Sequence, residues 1–146
     1  VKDSLIIRTQ WLYGPFGRNF VDLILQQAKE KSALSIVHDQ VGSPTYTVDL
    51  ASAISALIQF EARGIFHVTN SDFCSWYAFG QAILKLSGVN RVKVLPISSD
   101  ELSRPAARPS YSVLSGQKLR EETGLTMRSW SEALKDYLST HRQSLS

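Results

Sequence analysis

Apolar and polar positions along this chain fall into blocks of two different periods, and the blocks set out a series of strands and helices. Leu5-Ile6-Ile7 is a short unbroken apolar run, the pattern of a buried strand with neighbours on both sides. The chain turns polar from Arg8 and breaks at Gly14-Pro15. From Asn19 to Lys31 the period becomes helical, with Phe20, Val21, Ile24, Leu25 and Ala28 on one face. Leu34 to Val37 predicts a second strand. The polar, turn-rich stretch from Asp39 to Thr47 follows it.

Thr47 is the expected N-cap of the next helix, Asp49 suits its positive end, and Leu50, Ile54, Leu57 and Ile58 carry the apolar stripe until Arg63-Gly64 stops it. Ile65 to Val68 reads as a strand with a polar exit at Thr69-Asn70-Ser71. Ser75 caps a helix bearing Trp76, Phe79, Ile83 and Leu86, which Gly88 closes as C′ residue. Val92 to Leu95 is a further strand, and Arg104 to Tyr111, with Pro105 and Pro109, is an irregular loop. Gln117 to Glu122 forms a short helix ended by Gly124. A capping box of Ser129 and Glu132 opens the last helix, which buries Trp130, Ala133, Leu134, Tyr137 and Leu138. Strands alternating with helices place the chain in the α/β class with parallel pairing.

The 146 residues are 43% apolar, enough for a real core of one domain. A formal charge of +3 suits an anionic small ligand such as a nucleotide phosphate. It lacks the concentrated basic stripe of a nucleic-acid binder. One cysteine, Cys74, excludes an internal disulfide and fits a reducing cytosol. No apolar run approaches the roughly 18 residues of a membrane span, and no signal peptide is visible. The expectation is a cytoplasmic protein with no membrane partner.

Catalytic chemistry is missing from the pattern. No glycine-rich dinucleotide fingerprint joins a strand to a helix. Tyr13, Tyr46, Tyr77, Tyr111 and Tyr137 are followed four residues on by Gly17, Leu50, Gln81, Ser115 and His141. No lysine therefore stands where it would lower a phenol's pKa for proton transfer. His38, His67, His141 and Cys74 show no metal-ligand spacing. The residues give a binding surface without a catalytic residue or a metal site. The loop from Asp39 to Thr47, running into a strong helix, is its natural centre.

Arg8-Thr9-Gln10-Trp11-Leu12-Tyr13-Gly14 with Asn19-Phe20 resembles the strand that follows the catalytic Tyr-Lys pair in extended short-chain dehydrogenases. Asp39-Gln40-x-Gly42-Ser43-Pro44-Thr45-Tyr46-Thr47 narrows the resemblance to the dTDP-4-dehydrorhamnose reductase family. Thr69-Asn70-Ser71, Cys74-Ser75-Trp76-Tyr77, Arg104-Pro105-Ala106, Arg108-Pro109-x-Tyr111-Ser112-Val113-Leu114, Lys118-Leu119, Thr123-Gly124 and the Trp130 to Leu138 helix match in order. Ala78 and Ser115 depart, standing where the family often has glutamate and aspartate. The likeness covers nearly the whole chain but only the second half of the family's length. It implies that about residues 1–14 and 47–70 contribute Rossmann-sheet elements and about 15–46 and 71–128 a substrate subdomain. The NADPH-binding half and the Tyr-Lys pair would lie before residue 1.

The resemblance further implies NADPH or NADH as hydride donor, with Mg2+ in the intact enzyme and a homodimer both left open. The substrate would be dTDP-6-deoxy-L-lyxo-4-hexulose, reduced at C4 to dTDP-L-rhamnose for polysaccharide biosynthesis, and the isolated chain would be inactive. Trp11 then offers a flat wall to the sugar or, with Leu12 and Tyr13, an edge of the cofactor site; packing in the core is its other reading. Asn19 either donates to a phosphate or serves as a plain N-cap. Gln40 presents a donor and an acceptor to a thymine edge or sugar hydroxyl, or is a solvated loop amide. Ser43 and Thr45 supply hydroxyls or shape the turn around Pro44. Arg108 is the preferred pyrophosphate ligand, ahead of Arg104, and Tyr111 adds a hydroxyl. Arg8 holds its strand's exit together, His67 packs in a strand, and Cys74 is an inert thiol. Two other functions stay open: a partner-binding relative similar to the regulatory subunit of methionine adenosyltransferase, and a sibling sugar-nucleotide reductase or epimerase.

Overall fold

The computed structural model describes residues 3–102, 106 and 108–141. Strand β1 (Leu5–Arg8) lies parallel to β6 (Gly64–His67), with Ile6 opposite Ile65 and Ile7 opposite Phe66. Strand β3 (Ala33–Val37) lies parallel to β8 (Lys93–Ile97) over five residues. Two-residue strands complete the set. β2 (Leu12–Tyr13) pairs in parallel with β5 (Thr45–Tyr46), and β4 (Val41–Gly42) pairs antiparallel with β7 (Cys74–Ser75). Parallel partners need long crossovers, and helices supply them.

Helix α1 (Phe20–Glu30) starts at Asn19, whose side chain accepts from Asp22 N, and buries Val21, Ile24 and Ala28. Helix α2 (Thr47–Gln59) corrects two expectations. Thr47 is its first helical residue, not its cap; Tyr46 occupies the N-cap position with no side-chain cap bond. The Thr47 hydroxyl is instead packed against Gly14, where even a Cβ would collide with it. The helix also stops at Gln59, before Arg63-Gly64, and Gly64, at φ 89°, turns the chain into β6.

Helix α3 (Trp76–Leu86) is capped by Ser75, which accepts from Ala78 N, and Gly88 follows it in the left-handed region at φ 72°. Helix α4 (Gln117–Thr123) ends on Gly124 at the same φ. Helix α5 (Trp130–His141) opens with the expected capping box: Glu132 N donates to Ser129 Oγ and Ser129 N to Glu132 Oε2.

Two apolar cores result. The larger joins α1, α3, β3 and α5 through Val21, Ile24, Phe79, Ile83, Leu134 and Tyr137. The smaller sets Leu50, Ala53 and Leu57 of α2 against Phe66 and Val68, with Leu119 of α4. One expectation fails here. Leu5-Ile6-Ile7 is half-exposed rather than buried, because among the described residues β1 pairs with β6 alone. Ile6 and Ile65, in register on one face, are each 42% exposed. Among the described residues no helix is long and apolar enough to cross a membrane.

Candidate functional site

The Asp39–Thr47 stretch leaves the carboxyl end of β3, the end at which open α/β sheets bind ligands. Most of it is tied down by hydrogen bonds. Asp39 accepts from Ser99 N at 3.0 Å and Ser99 Oγ at 2.8 Å, bonds that lower its carboxyl pKa. Gln40 is 6% exposed, not solvated, and its carbonyl accepts from Trp76 N. Ser43 Oγ donates to Asp72 O at 2.8 Å and Thr45 Oγ1 donates to Ser43 O at 3.2 Å, so both hydroxyl protons serve the turn around Pro44. Tyr46 N donates to Asn70 Oδ1 at 2.8 Å.

A cavity of about 440 Å³ opens beside this loop, lined by Gln40, Trp76, Arg108, Phe20, Leu23 and Gln27 among others. Two of the sequence-predicted residues, Gln40 and Arg108, therefore meet there. Trp76 joins them unpredicted: its helical spacing among Phe79, Ile83 and Leu86 marks it as core. Trp76 is sandwiched between Trp11, stacked at 3.6 Å between centroids, and Phe20 at 4.6 Å. Trp11 thus backs the cavity wall. Its own backbone is left-handed at φ 49°, and its indole crosses Gly42, where a Cβ would lie 2.5 Å from the ring.

The remaining predicted residues lie around this centre. Tyr111 is exposed, bridged to Val41 and set edge-on to Phe73. Ser43 lines a separate cavity of about 330 Å³ with Asn70, Asp72 and Arg120. Asn19 caps α1, and its amide donates to Gly14 O at 3.1 Å and Asp22 Oδ2 at 2.7 Å. Leu12 is half-exposed on β2, whereas Tyr13 is buried among Tyr46, Phe79 and Tyr137. The Tyr13 hydroxyl has no partner, and burial, with the Asp49 carboxylate nearby, pushes its pKa far up. Cys74 is buried and its thiol is pushed up to about 12. Arg104 lies outside the described residues.

Sequence reasoning missed the support beneath the loop. Arg128 forks onto Asp49 through Nε and Nη2, both at 2.8 Å, and Nη2 also reaches Asp136 at 2.8 Å. These carboxylates raise the guanidinium's pKa. Asn70 Nδ2 donates to Asp49 Oδ2 at 2.7 Å, so the group that positions Tyr46 is itself positioned. Asp49 showed in sequence only as a helix-end charge, and nothing pointed to Arg128.

Chemically the cavity has an apolar and aromatic floor, one buried amide and one guanidinium at its rim. That suits a flat heterocycle carrying phosphate. Among the described lining residues Arg108 alone is ionisable, and no cluster of His, Cys, Asp or Glu could hold a metal. Among the described residues the lining offers groups suited to binding and no acid–base pair.

Parallel strands joined by helices, with this cavity at a strand's carboxyl end, define an α/β ligand-binding module of the short-chain dehydrogenase type. Comparison with known proteins narrows the class. The chain belongs to the RmlD substrate binding domain family, whose model matches residues 1–143. It is 48% identical, over 94% of its length and 47% of the relative's, to the spore coat polysaccharide biosynthesis protein SpsK of Bacillus subtilis. A dTDP-4-dehydrorhamnose reductase structure from Clostridium acetobutylicum matches at 44% identity and TM-score 0.91, over 94% of this chain and 49% of that one. The Bacillus anthracis reductase in complex with NADP matches at 41% and TM-score 0.89, over 93% and 48%. The chain spans about half the length of the curated relatives it matches. The resemblance read from the sequence motifs is borne out.

Proposed function

We propose that this chain is the nucleotide-sugar-binding, C-terminal half of a cytoplasmic dTDP-4-dehydrorhamnose reductase. The whole enzyme would reduce dTDP-6-deoxy-L-lyxo-4-hexulose at C4 to dTDP-L-rhamnose for polysaccharide biosynthesis. The observation that carries this reading is the meeting of Gln40, Trp76 and Arg108 around one cavity. Trp76 supplies a rigid apolar surface for the base, locked by Trp11 and Phe20. Gln40, too buried to be a free loop amide, has a donor and an acceptor for a thymine edge. Arg108 at the rim matches the diphosphate, and Tyr111 lies close by in the same loop.

The hydride donor, NADPH or NADH, supplies the reducing equivalent when bound, and its phosphate cradle belongs to the other half. This chain offers it an edge. Thr9 Oγ1 is buried without a partner just past β1, and Leu12 is half-exposed. Tyr13, being buried, contributes backbone only. The two cores support a division into sheet elements and a substrate subdomain, with α4 packing on the sheet side through Leu119. Asn19, Ser43 and Thr45 act on the substrate indirectly, by fixing α1 and the loop.

Calorimetry with dTDP, UDP and GDP tests the reading. Binding of dTDP in preference to the other two, lost in Arg108→Ala and Trp76→Ala, is the expected result. Preference for UDP or GDP would move the chain to a sibling sugar-nucleotide enzyme. No nucleotide binding, with a protein partner recovered in its place, would reject it for a partner-binding role. The isolated chain should oxidise no NADPH with the keto-sugar.

A further inference from the structure

The segment carrying Arg108 is anchored twice to the site. Val41 N donates to Ser110 O at 2.8 Å and Ser112 N donates to Val41 O at 2.9 Å, bridging Tyr111 to the residue after Gln40. The second anchor is made by side chains. Ser112 Oγ lies 2.9 Å from Gln10 Oε1 and 3.1 Å from Val41 O. A hydroxyl has one proton and cannot donate to both. Gln10 Nε2, meanwhile, is buried with no partner, an unfavourable state for an amide donor. Turning the Gln10 amide over ends the competition and gives the N–H a partner, leaving the amide oxygen, a less costly orphan than a donor, in the open place. Nε2 then donates to Ser112 Oγ, and Ser112 Oγ donates to Val41 O. The chain of bonds links the residue before Trp11, the residue after Gln40 and the residue after Tyr111.

We propose that Gln10 is a positioning residue for the diphosphate clamp. Through Ser112 it holds the Arg108 segment at a fixed distance from the strand exit that carries Trp11, without touching ligand itself. The inference rests on the dTDP reading of the cavity. It separates two parts of that ligand: the walls of the base pocket on α1, β3 and α3 make no bond to Gln10, whereas the Arg108 segment is tied to it through Ser112.

Calorimetry on the protein in its natural length, with dTDP and thymidine as probes, tests this. Gln10→Ala and Ser112→Ala should each weaken dTDP about fivefold to tenfold, the worth of one hydrogen bond, and leave thymidine unchanged. Ser112→Thr keeps the hydroxyl and should bind as the parent does. Gln10→Ala added to Arg108→Ala should cost nothing further, because both act through one guanidinium. Equal losses for dTDP and thymidine would make the role merely structural and overturn the proposal. So would parental dTDP affinity in Gln10→Ala, or full additivity with Arg108→Ala. Should Gln10→Ala not fold, Ser112→Ala against Ser112→Thr decides by the same comparison. A parent protein that binds neither probe overturns the dTDP reading and this inference with it. A parent that binds dTDP, with Gln10 having no effect, overturns the inference alone.

Discussion

Gly42 and Trp11 fit together as a pair. The indole crosses Gly42 so closely that a Cβ would sit 2.5 Å from its ring, while Trp11 holds a left-handed backbone that a bulky side chain rarely adopts. Gly42→Ala should therefore push the indole off Trp76 and lower stability by about 1–3 kcal/mol, as overpacking does. A urea titration followed by tryptophan fluorescence would show both changes, and an unshifted midpoint would contradict the fit. Buried acids make a second prediction at this scale. Burial lifts Cys74 from 9.0 to about 12, and, as the largest cause, lifts Tyr137 from 10.0 to about 12. The unfolded chain releases these protons first, so their contribution is complete below pH 9, falls as pH rises, and is gone above about 12. Cys74→Ala should flatten the decline that begins near 9, read as the urea midpoint against pH. Single residues were legible where their partner is near in sequence. Asn19, Ser75 and the Ser129–Glu132 box bond within three residues, and each forms as the pattern indicates. Trp76 was hidden because a wall of a cavity and a core position share the same helical spacing.

Among elements, those with a full period of pattern were readable: five helices, β1, β3, β6 and β8 stand where the sequence puts them, within a few residues. The two-residue strands β2, β4, β5 and β7 were not. A pair of residues carries no period, and their pairing is dictated by what the longer elements bring together. The start of α2 shows the same limit. Its order comes from Asn70 and from Arg128, which is 79 residues beyond Asp49, and no local pattern reports such a partner. Arg128→Ala should remove three charge-assisted bonds and cost about 2 kcal/mol, a figure lowered by the guanidinium's partial exposure. Amide exchange at Thr45 and Tyr46 should quicken with it. Exchange unchanged at those two amides would mean that Asn70 alone sustains the turn.

For the molecule as a whole, the open side of β1 stands out: among the described residues this strand pairs with β6 alone. Its unpaired edge and the Ile6–Ile65 face present hydrogen-bonding groups and apolar surface together, the combination that invites strand pairing between copies. We expect the isolated chain to self-associate through this face and Ile6→Lys to reduce it. Light scattering across a concentration series checks this. A monomer at high concentration, with slow exchange at Ile6 and Ile7, would sink the idea.

The distant anchoring of the loop also bears on how the chain comes into being. Tyr137 donates to Asp22 across 115 residues, and Arg128 reaches Asp49 across 79. When the chain has emerged from the ribosome as far as Gln117, Trp11, Gln40, Trp76 and Arg108 are all outside, while Arg128 and Tyr137, the partners of Asp49 and Asp22, are still in the tunnel. Until Arg128 and Tyr137 emerge, the nascent chain carries the residues of the site without the two braces that fix the first turns of α2 and α1.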